Sequence, residues 1–79
     1  MLSVNTLQQA IAEILRIPLD KITPEVAIHE VATWNSLTHI ELIVSLEEKF
    51  QIQLTEDEIV AMTSVGAIQK TLRLRGVLA

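Results

Sequence analysis

Apolar residues recur at helical spacing in the first part of the chain and predict a helix over about 4–17. The residues that form this stripe are Leu7, Ala10, Ile11, Ile14 and Leu15. Ser3 or Asn5 can cap its start, and Gln8 follows Asn5 at the distance of a loose capping box. Pro18 disfavours helical backbone at the residue before it, so we expect the helix to end there.

A second helix is predicted over about 36–50, and it carries two apolar stripes on opposite sides. One stripe consists of Leu42, Ile43, Leu46 and Phe50, and the other of Leu37, Ile40 and Val44. Glu41 and Glu48 join the second stripe, and Glu47 flanks it. A surface helix needs only one apolar stripe, the one that it buries. The second stripe has the composition of a docking surface with a polar rim.

Residues 18–35 form a long connection between these two helices. It contains several Pro, Asp, Thr and Glu residues. Apolar residues spaced along it could anchor the loop to the helices, namely Val26, Ile28, Val31 and Trp34. A long loop in a small domain is often functional. It can equally be a packed crossover between helices, and the two interpretations are compatible.

Two further helices follow, one short and one long. Thr55 and Glu58 form a capping box that leads into Ile59, Val60 and Met62. A break at 63–64 caps a final helix over about 65–75, in which Val65, Ile68, Leu72 and Ala67 are the inward candidates. Basic residues gather at its end, where cations suit the helix dipole, namely Lys70, Arg73 and Arg75. Gly76 then stops the helix. The predicted fold class is all-α, with three main helices and a short one before the last.

Composition supports a small helical domain that spans residues 1–79. Hydrophobic residues make up 49% of the chain and aromatic residues only 3%, so the core is aliphatic. Two glycines in 79 residues favour helices over a strand-and-turn fold. No apolar run is long enough to span a membrane, and the first residues lack the pattern of a secretory signal. We therefore expect a cytoplasmic protein.

Charge and cysteine content exclude several functions. The net charge is −4, whereas phosphate backbones are bound by clustered positive charge, so nucleic acid is disfavoured as a partner. An acidic domain is better suited to binding the basic surfaces of other proteins. The absence of cysteine excludes a disulfide, a thiolate metal site and a cysteine nucleophile. Any thiol chemistry would need an added group.

Ser36 stands at the predicted start of the second helix. A phosphate ester on its hydroxyl would meet unpaired backbone N–H groups and the positive end of the helix dipole. Serine at a helix start also serves simply as a cap.

His39 lies one turn after Ser36 and toward the core, where we expect a packed side chain. It could act as a base for Ser36, but no third group orients it, so a serine hydrolase is disfavoured. His29 lies in the loop, and the two histidines lack metal-ligand spacing.

The stretches Ser36-Leu37, Glu41-Leu42-Ile43 and 46–50 (Leu-Glu-Glu-Lys-Phe) resemble the second helix of the acyl carrier protein family. The segment 54–58 and the break at 62–65 are similar to the third helix of that family and its junction with the fourth. The resemblance covers nearly the whole chain. The Asp-Ser-Leu signature of the family is matched by Asn35-Ser36-Leu37. Trp34 before it is more typical of specialised, free-standing carriers.

The resemblance implies a four-helix bundle that carries acyl groups without catalysing a reaction. Ser36 would be esterified by 4'-phosphopantetheine, donated from coenzyme A by a phosphopantetheinyl transferase, with Asn35 and Leu37 beside it. The thiol of this arm would hold acyl groups as thioesters for the enzymes of fatty-acid, polyketide or specialised lipid biosynthesis that load and use them. The implied recognition surface consists of Leu37, Ile40, Glu41, Val44, Glu47 and Glu48. We expect a monomer.

Asn35 is the main departure from the family signature. Asparagine caps a helix about as well as aspartate. It does not supply the negative charge that the aspartate of the family offers to the transferase and its metal ion. An alternative therefore stays open, in which the protein is a carrier-shaped interaction module that is never loaded.

Overall fold

Four α-helices carry the fold in the computed structural model, which describes residues 2–79 and leaves Met1 outside. They are α1 (Val4–Leu15), α2 (Ser36–Phe50), α3 (Glu56–Ala61) and α4 (Val65–Leu74). A short 3-10 helix, Leu19–Lys21, follows α1 and was not predicted. Across the described residues, β structure is confined to two isolated bridges, Leu2 with Leu78 and Ala27 with Ser64. The predicted all-α class, with a long loop between the first two main helices, is confirmed.

Helix α1 begins as predicted but ends two residues early. The Ser3 hydroxyl accepts a hydrogen bond from the Thr6 N–H, so Ser3 is the cap and the alternative cap at Asn5 is wrong. Arg16 adopts a left-handed backbone with φ 57°, and the N–H groups of Arg16 and Ile17 both donate to the Ala12 carbonyl. This left-handed termination stops the helix before the restriction imposed by the proline takes effect.

The core combines one face of α1, α2 and α4 with side chains from the loops. Helix α2 has the predicted bounds, and its predicted inward stripe is buried. Helix α4 buries the predicted Val65, Ile68 and Leu72, whereas Ala67 is half-buried; Gln69 is buried as well. Trp34 and Met62 are completely buried between the helices. A mainly aliphatic core, which also contains the rings of Trp34 and Phe50, therefore holds the bundle together.

The long connection is a packed crossover that is tied to the junction between α3 and α4. The Ile28 N–H donates to the Thr63 carbonyl over 2.8 Å, and the Val65 N–H donates to the Val26 carbonyl over 2.9 Å. The predicted anchors Val26, Ile28 and Val31 are half-buried. Ile22, which was not among them, is buried. The loop thus reaches the start of α2 from a fixed position.

The side chain of Arg75 makes a different contact from the one that the sequence predicts. It was predicted to act on the dipole of its own helix, but its guanidinium reaches the start of α3. There it donates to both carboxylate oxygens of Glu58, over 2.7 and 2.8 Å, and also to the Gln53 carbonyl. A planar guanidinium matches a carboxylate in this two-bonded way. The end of α4 is therefore connected to the N-terminal end of α3.

Candidate functional site

Ser36 is the first residue of α2, and its side chain is exposed. The residue before it, Asn35, is the helix cap and has extended backbone. The side-chain oxygen of Asn35 accepts hydrogen bonds from the N–H groups of Leu37 and Thr38, over 3.0 and 3.1 Å. The cap and the candidate attachment site are therefore adjacent but separate residues.

Thr38 completes a capping box around Ser36. Its hydroxyl accepts from the Asn35 N–H over 2.9 Å and donates to the Thr33 carbonyl over 2.6 Å. These bonds fix the backbone on both sides of Ser36 and do not use the serine hydroxyl. Sequence reasoning missed this role, because the usual capping box has glutamate or glutamine at this position and here it is a threonine.

The capping bonds correct one expectation about Ser36. Two of the N–H groups that were expected to be unpaired, those of Leu37 and Thr38, are already bound by the Asn35 side chain. The attraction of this position for a phosphate ester therefore comes from the positive end of the α2 dipole and not from those two donors. An exposed primary alcohol beside that dipole fits a phosphodiester.

His39 is buried, as expected, and both of its ring nitrogens have partners. The indole N–H of Trp34 donates to Nδ1 over 3.1 Å, and Nε2 lies 3.0 Å from the Ile59 carbonyl oxygen in α3. Since an indole nitrogen only donates, Nδ1 accepts and Nε2 carries the proton. Neither nitrogen is available to activate Ser36, so the site does not have the arrangement of a serine hydrolase.

The second apolar stripe of α2 is exposed along its length. Leu37 is 68% exposed, Ile40 60% and Val44 48%, whereas Leu42 on the opposite side is completely buried. Val60 of α3 is 69% exposed and was not predicted to be a surface residue. Exposed aliphatic residues that stand singly mean little, but a continuous row is typical of an interaction surface.

The acidic residues around this stripe differ in their surroundings. Glu41 and Glu48 are exposed. Glu47 is half-buried, and one of its carboxylate oxygens accepts from the Leu54 N–H over 2.8 Å. The structure therefore places two free carboxylates beside the stripe and a third that also supports the loop between α2 and α3.

The part of the chain that the structure describes holds no group of three or more acidic, histidine or cysteine residues placed to bind a metal ion. None of its helices combines the length and the apolar character that a membrane crossing requires.

Comparison with known proteins gives matches over most of the chain. The family described as "Phosphopantetheine attachment site" matches residues 5–72. The acyl carrier protein of Helicobacter pylori (strain J99 / ATCC 700824) is 34% identical over 64 residues, which are 81% of this chain and 82% of that protein. The acyl carrier protein of Buchnera aphidicola subsp. Baizongia pistaciae is 37% identical over 62 residues, or 78% and 80% of the two chains. That of Acidothermus cellulolyticus is 32% identical over 60 residues, or 76% and 71%.

Proposed function

The chain belongs to the acyl carrier protein family, whose members carry covalently attached 4'-phosphopantetheine, and we propose that Ser36 is the attachment residue. The protein would then act as a single domain over residues 1–79. It would hold acyl intermediates for enzymes of fatty-acid, polyketide or specialised lipid biosynthesis. We further propose that it works as a cytoplasmic monomer and catalyses no reaction itself.

The exposed Ser36 hydroxyl is the observation that carries this proposal. It stands at the N-terminal end of α2 and takes no part in the capping bonds of Asn35 and Thr38. A transferase can therefore reach it without unfolding the cap. The dipole of α2 favours the negative charge that a phosphodiester brings to this point.

Attachment would proceed by phosphoryl transfer to Ser36. The serine oxygen forms a bond to the phosphorus that bears the pantetheine, and the phosphoanhydride bond of coenzyme A breaks. The adenosine bisphosphate portion leaves with the electron pair, and the serine proton passes to a base of the transferase. When the arm is bound, its thiol supplies the thioester chemistry that this cysteine-free chain lacks. The capping box of Asn35 and Thr38 keeps the attachment point fixed.

Co-expression with a broad-specificity phosphopantetheinyl transferase, followed by intact mass measurement, tests the proposal. The wild type should gain the mass of one phosphopantetheine group, and Ser36→Ala should gain none. Ser3→Ala is the matched control, because Ser3 is likewise an exposed serine at the beginning of a helix. It should be loaded like the wild type. A protein that stays unmodified with several active transferases would refute the assignment.

The exposed stripe of α2 supports a second part of the proposal, the surface that partner enzymes recognise. Leu37, Ile40 and Val44 would provide apolar contact area, and the carboxylates of Glu41, Glu48 and Glu47 would orient a basic partner surface. Glu47 would contribute through the oxygen that does not bind Leu54. Charge attraction of this kind raises the association rate and weakens as salt is added.

Asn35 favours one other function, that of a carrier-shaped interaction module that is never loaded. The amide side chain provides the cap but no charge for a transferase. This alternative predicts a stable complex with a protein partner. Ser36→Ala would leave that complex intact, whereas Leu37→Ala and Val44→Ala would weaken it. The mass measurement above separates the two functions, since a loaded protein rules out the unloaded module.

A further inference from the structure

A groove of about 430 Å³ lies between the end of α1 and the start of α2. Small-molecule sites in proteins have volumes of about 300–1,000 Å³, so the groove is large enough for a ligand. Its lining is mainly polar and includes Glu13, Ile14, Arg16, Thr33, Thr38 and Glu41. This lining suits a ligand that carries several hydrogen-bonding groups.

Thr33 in this lining has a side chain that the fold does not satisfy. Its hydroxyl oxygen is buried and has no hydrogen-bond partner within residues 2–79. Its carbonyl, in contrast, accepts from the Thr38 hydroxyl over 2.6 Å, which holds its backbone in place. Buried polar groups in proteins nearly always have a partner. A rotation about the Cα–Cβ bond of Thr33 would give its hydroxyl a partner if a ligand occupied the groove.

The charged residues of the groove are also available to a ligand. Glu13, Arg16 and Glu41 are exposed, and none of the three forms an ion pair within residues 2–79. A guanidinium only donates hydrogen bonds, and an ionised carboxylate only accepts them. Half-buried Ile14 adds an apolar surface beside these charges. The groove therefore offers donors, acceptors and one apolar contact to the same ligand.

The groove lies close to Ser36. Asn35, Thr38 and Glu41 follow one another at intervals of three, so they share the side of α2 that faces the groove. Ser36 comes directly after Asn35, about 100° further around the helix axis. A flexible chain that is attached to Ser36 needs only to pass the cap to enter the groove. Covalent attachment keeps such a chain near the groove at a high effective concentration.

We propose that this groove binds the pantetheine part of the arm, an inference that rests on the attachment at Ser36 proposed above. Pantetheine contains two amides, a hydroxyl and a carbon that bears two methyl groups. Its amide N–H groups donate to the two groove carboxylates, and its carbonyl oxygens accept from Arg16. The Thr33 hydroxyl gains the partner that the fold does not supply, and the two methyl groups pack on Ile14. The arm thus rests between α1 and α2 until a partner enzyme withdraws it.

Two substitutions weaken the groove without removing apolar packing. Thr33→Val removes the hydroxyl and keeps the shape of the side chain. It should not destabilise the unloaded protein, because the lost hydroxyl has no partner there. Thr71→Val is its control, since Thr71 is likewise half-buried but lies in α4. Arg16→Gln removes the guanidinium, and Lys21→Gln is its control at an exposed cation outside the groove.

NMR spectroscopy of the loaded protein tests the site directly. Nuclear Overhauser contacts should join the two methyl groups of the arm to those of Ile14, which is distant from Ser36 in the sequence. The change in the Ile14 methyl shifts on loading measures the docked fraction. Thr33→Val and Arg16→Gln should each lower the docking constant by about two- to tenfold, and neither control should change it. Contacts of the arm with Ile59 and Val60 of α3 instead of Ile14 would overturn the inference.

Free pantetheine, added to unloaded Ser36→Ala, tests the groove without the attachment. The Ile14 methyl resonances should shift as pantetheine is added, and they should shift less when Thr33→Val is also present. A mass gain on loading without Ile14 contacts refutes the groove and leaves the attachment intact. A missing mass gain refutes the attachment at Ser36, and the titration then decides on the groove. Ile14 resonances that stay in place in the titration would in that case overturn the inference as well.

Discussion

The indole N–H of Trp34 donates to Nδ1 of His39 across 3.1 Å in a buried site, and the two rings lie at 29° to each other. This bond connects the last residue of the long loop before the cap with the first turn of α2. Ser36 lies between the two partners in sequence. A single side-chain pair therefore holds the chain on both sides of the candidate attachment residue.

Trp34→Phe should destabilise the protein by at least about 1–3 kcal/mol, because it leaves the buried Nδ1 of His39 without a donor. The smaller ring adds a packing defect to this loss. Urea unfolding followed by circular dichroism measures the free energy of unfolding. The double variant Trp34→Phe with His39→Leu should be more stable than the sum of the single effects implies. Strict additivity would show that the two rings do not depend on each other.

The pair of Glu58 and Arg75 makes part of the stability dependent on pH. Hydrogen bonds from Arg75, together with one from the Thr55 N–H, lower the pKa of the Glu58 carboxyl from 4.5 to about 2. Because the pKa is depressed in the folded state, the stabilisation is fully present above pH 4.5 and is lost as the pH falls toward about 2. Carbon-detected NMR of the Glu58 carboxyl should show this low midpoint.

Arg75→Gln should move the Glu58 midpoint back toward its ordinary value and reduce the loss of stability on acidification. The matched control is Arg73→Gln, because Arg73 is a neighbouring arginine that donates to the Ala79 carbonyl and not to Glu58. It should leave the midpoint unchanged. A midpoint near 4.5 in the wild type would mean that solvent screens this exposed pair more strongly than its geometry suggests.

Local patterns predicted most of the helices because their signals lie within a few residues. The bounds of α2 follow from its apolar spacing and from the break at its start, and the capping box of Thr55 and Glu58 places the start of α3. The exposed position of Ser36 follows from the same reasoning. These features depend on neighbours in the sequence, so a periodic pattern is sufficient to find them.

Contacts between distant residues were not predictable in the same way. Arg75 and Glu58 are 17 positions apart, and His39 and Ile59 are 20 apart. Periodicity states which side of a helix faces inward, but not which carbonyl or carboxylate a polar side chain meets there. The early end of α1 at Arg16 was missed for another reason. A left-handed termination is usually signalled by glycine or asparagine, and this one uses an arginine.

Asn35→Asp tests whether the departure from the family signature limits loading. Aspartate caps a helix as well as asparagine does, and its charge near the end of the α2 dipole adds about 0.3–1 kcal/mol of stability. Asn35→Ala removes the cap and should cost about 0.5–2 kcal/mol. If the missing charge slows the transferase, Asn35→Asp should be loaded faster than the wild type in a time course followed by intact mass.

Asn5→Asp is the control for the effect of charge in general. It introduces the same charge into the first turn of α1, away from Ser36, and should leave the loading rate unchanged. The gain from Asn35→Asp should also shrink as salt is added, because exposed charges are screened. An unchanged rate for Asn35→Asp would show that asparagine serves the transferase as well as aspartate.

Leu37 and Leu42 allow the same substitution to be compared on the two sides of α2. Leu42 is completely buried, so Leu42→Ala should destabilise the protein by about 2–5 kcal/mol. Leu37 is 68% exposed, and Leu37→Ala should change the free energy of unfolding by less than about 0.5 kcal/mol.

If the exposed stripe is the recognition surface, Leu37→Ala should nevertheless lower kcat/KM for loading by about tenfold, since apolar contacts at the centre of an interface dominate its energy. Leu42→Ala, assayed at a temperature where it is folded, should be loaded at nearly the wild-type rate. Loading that follows stability, with Leu42→Ala slow and Leu37→Ala normal, would place the recognition surface elsewhere on the molecule.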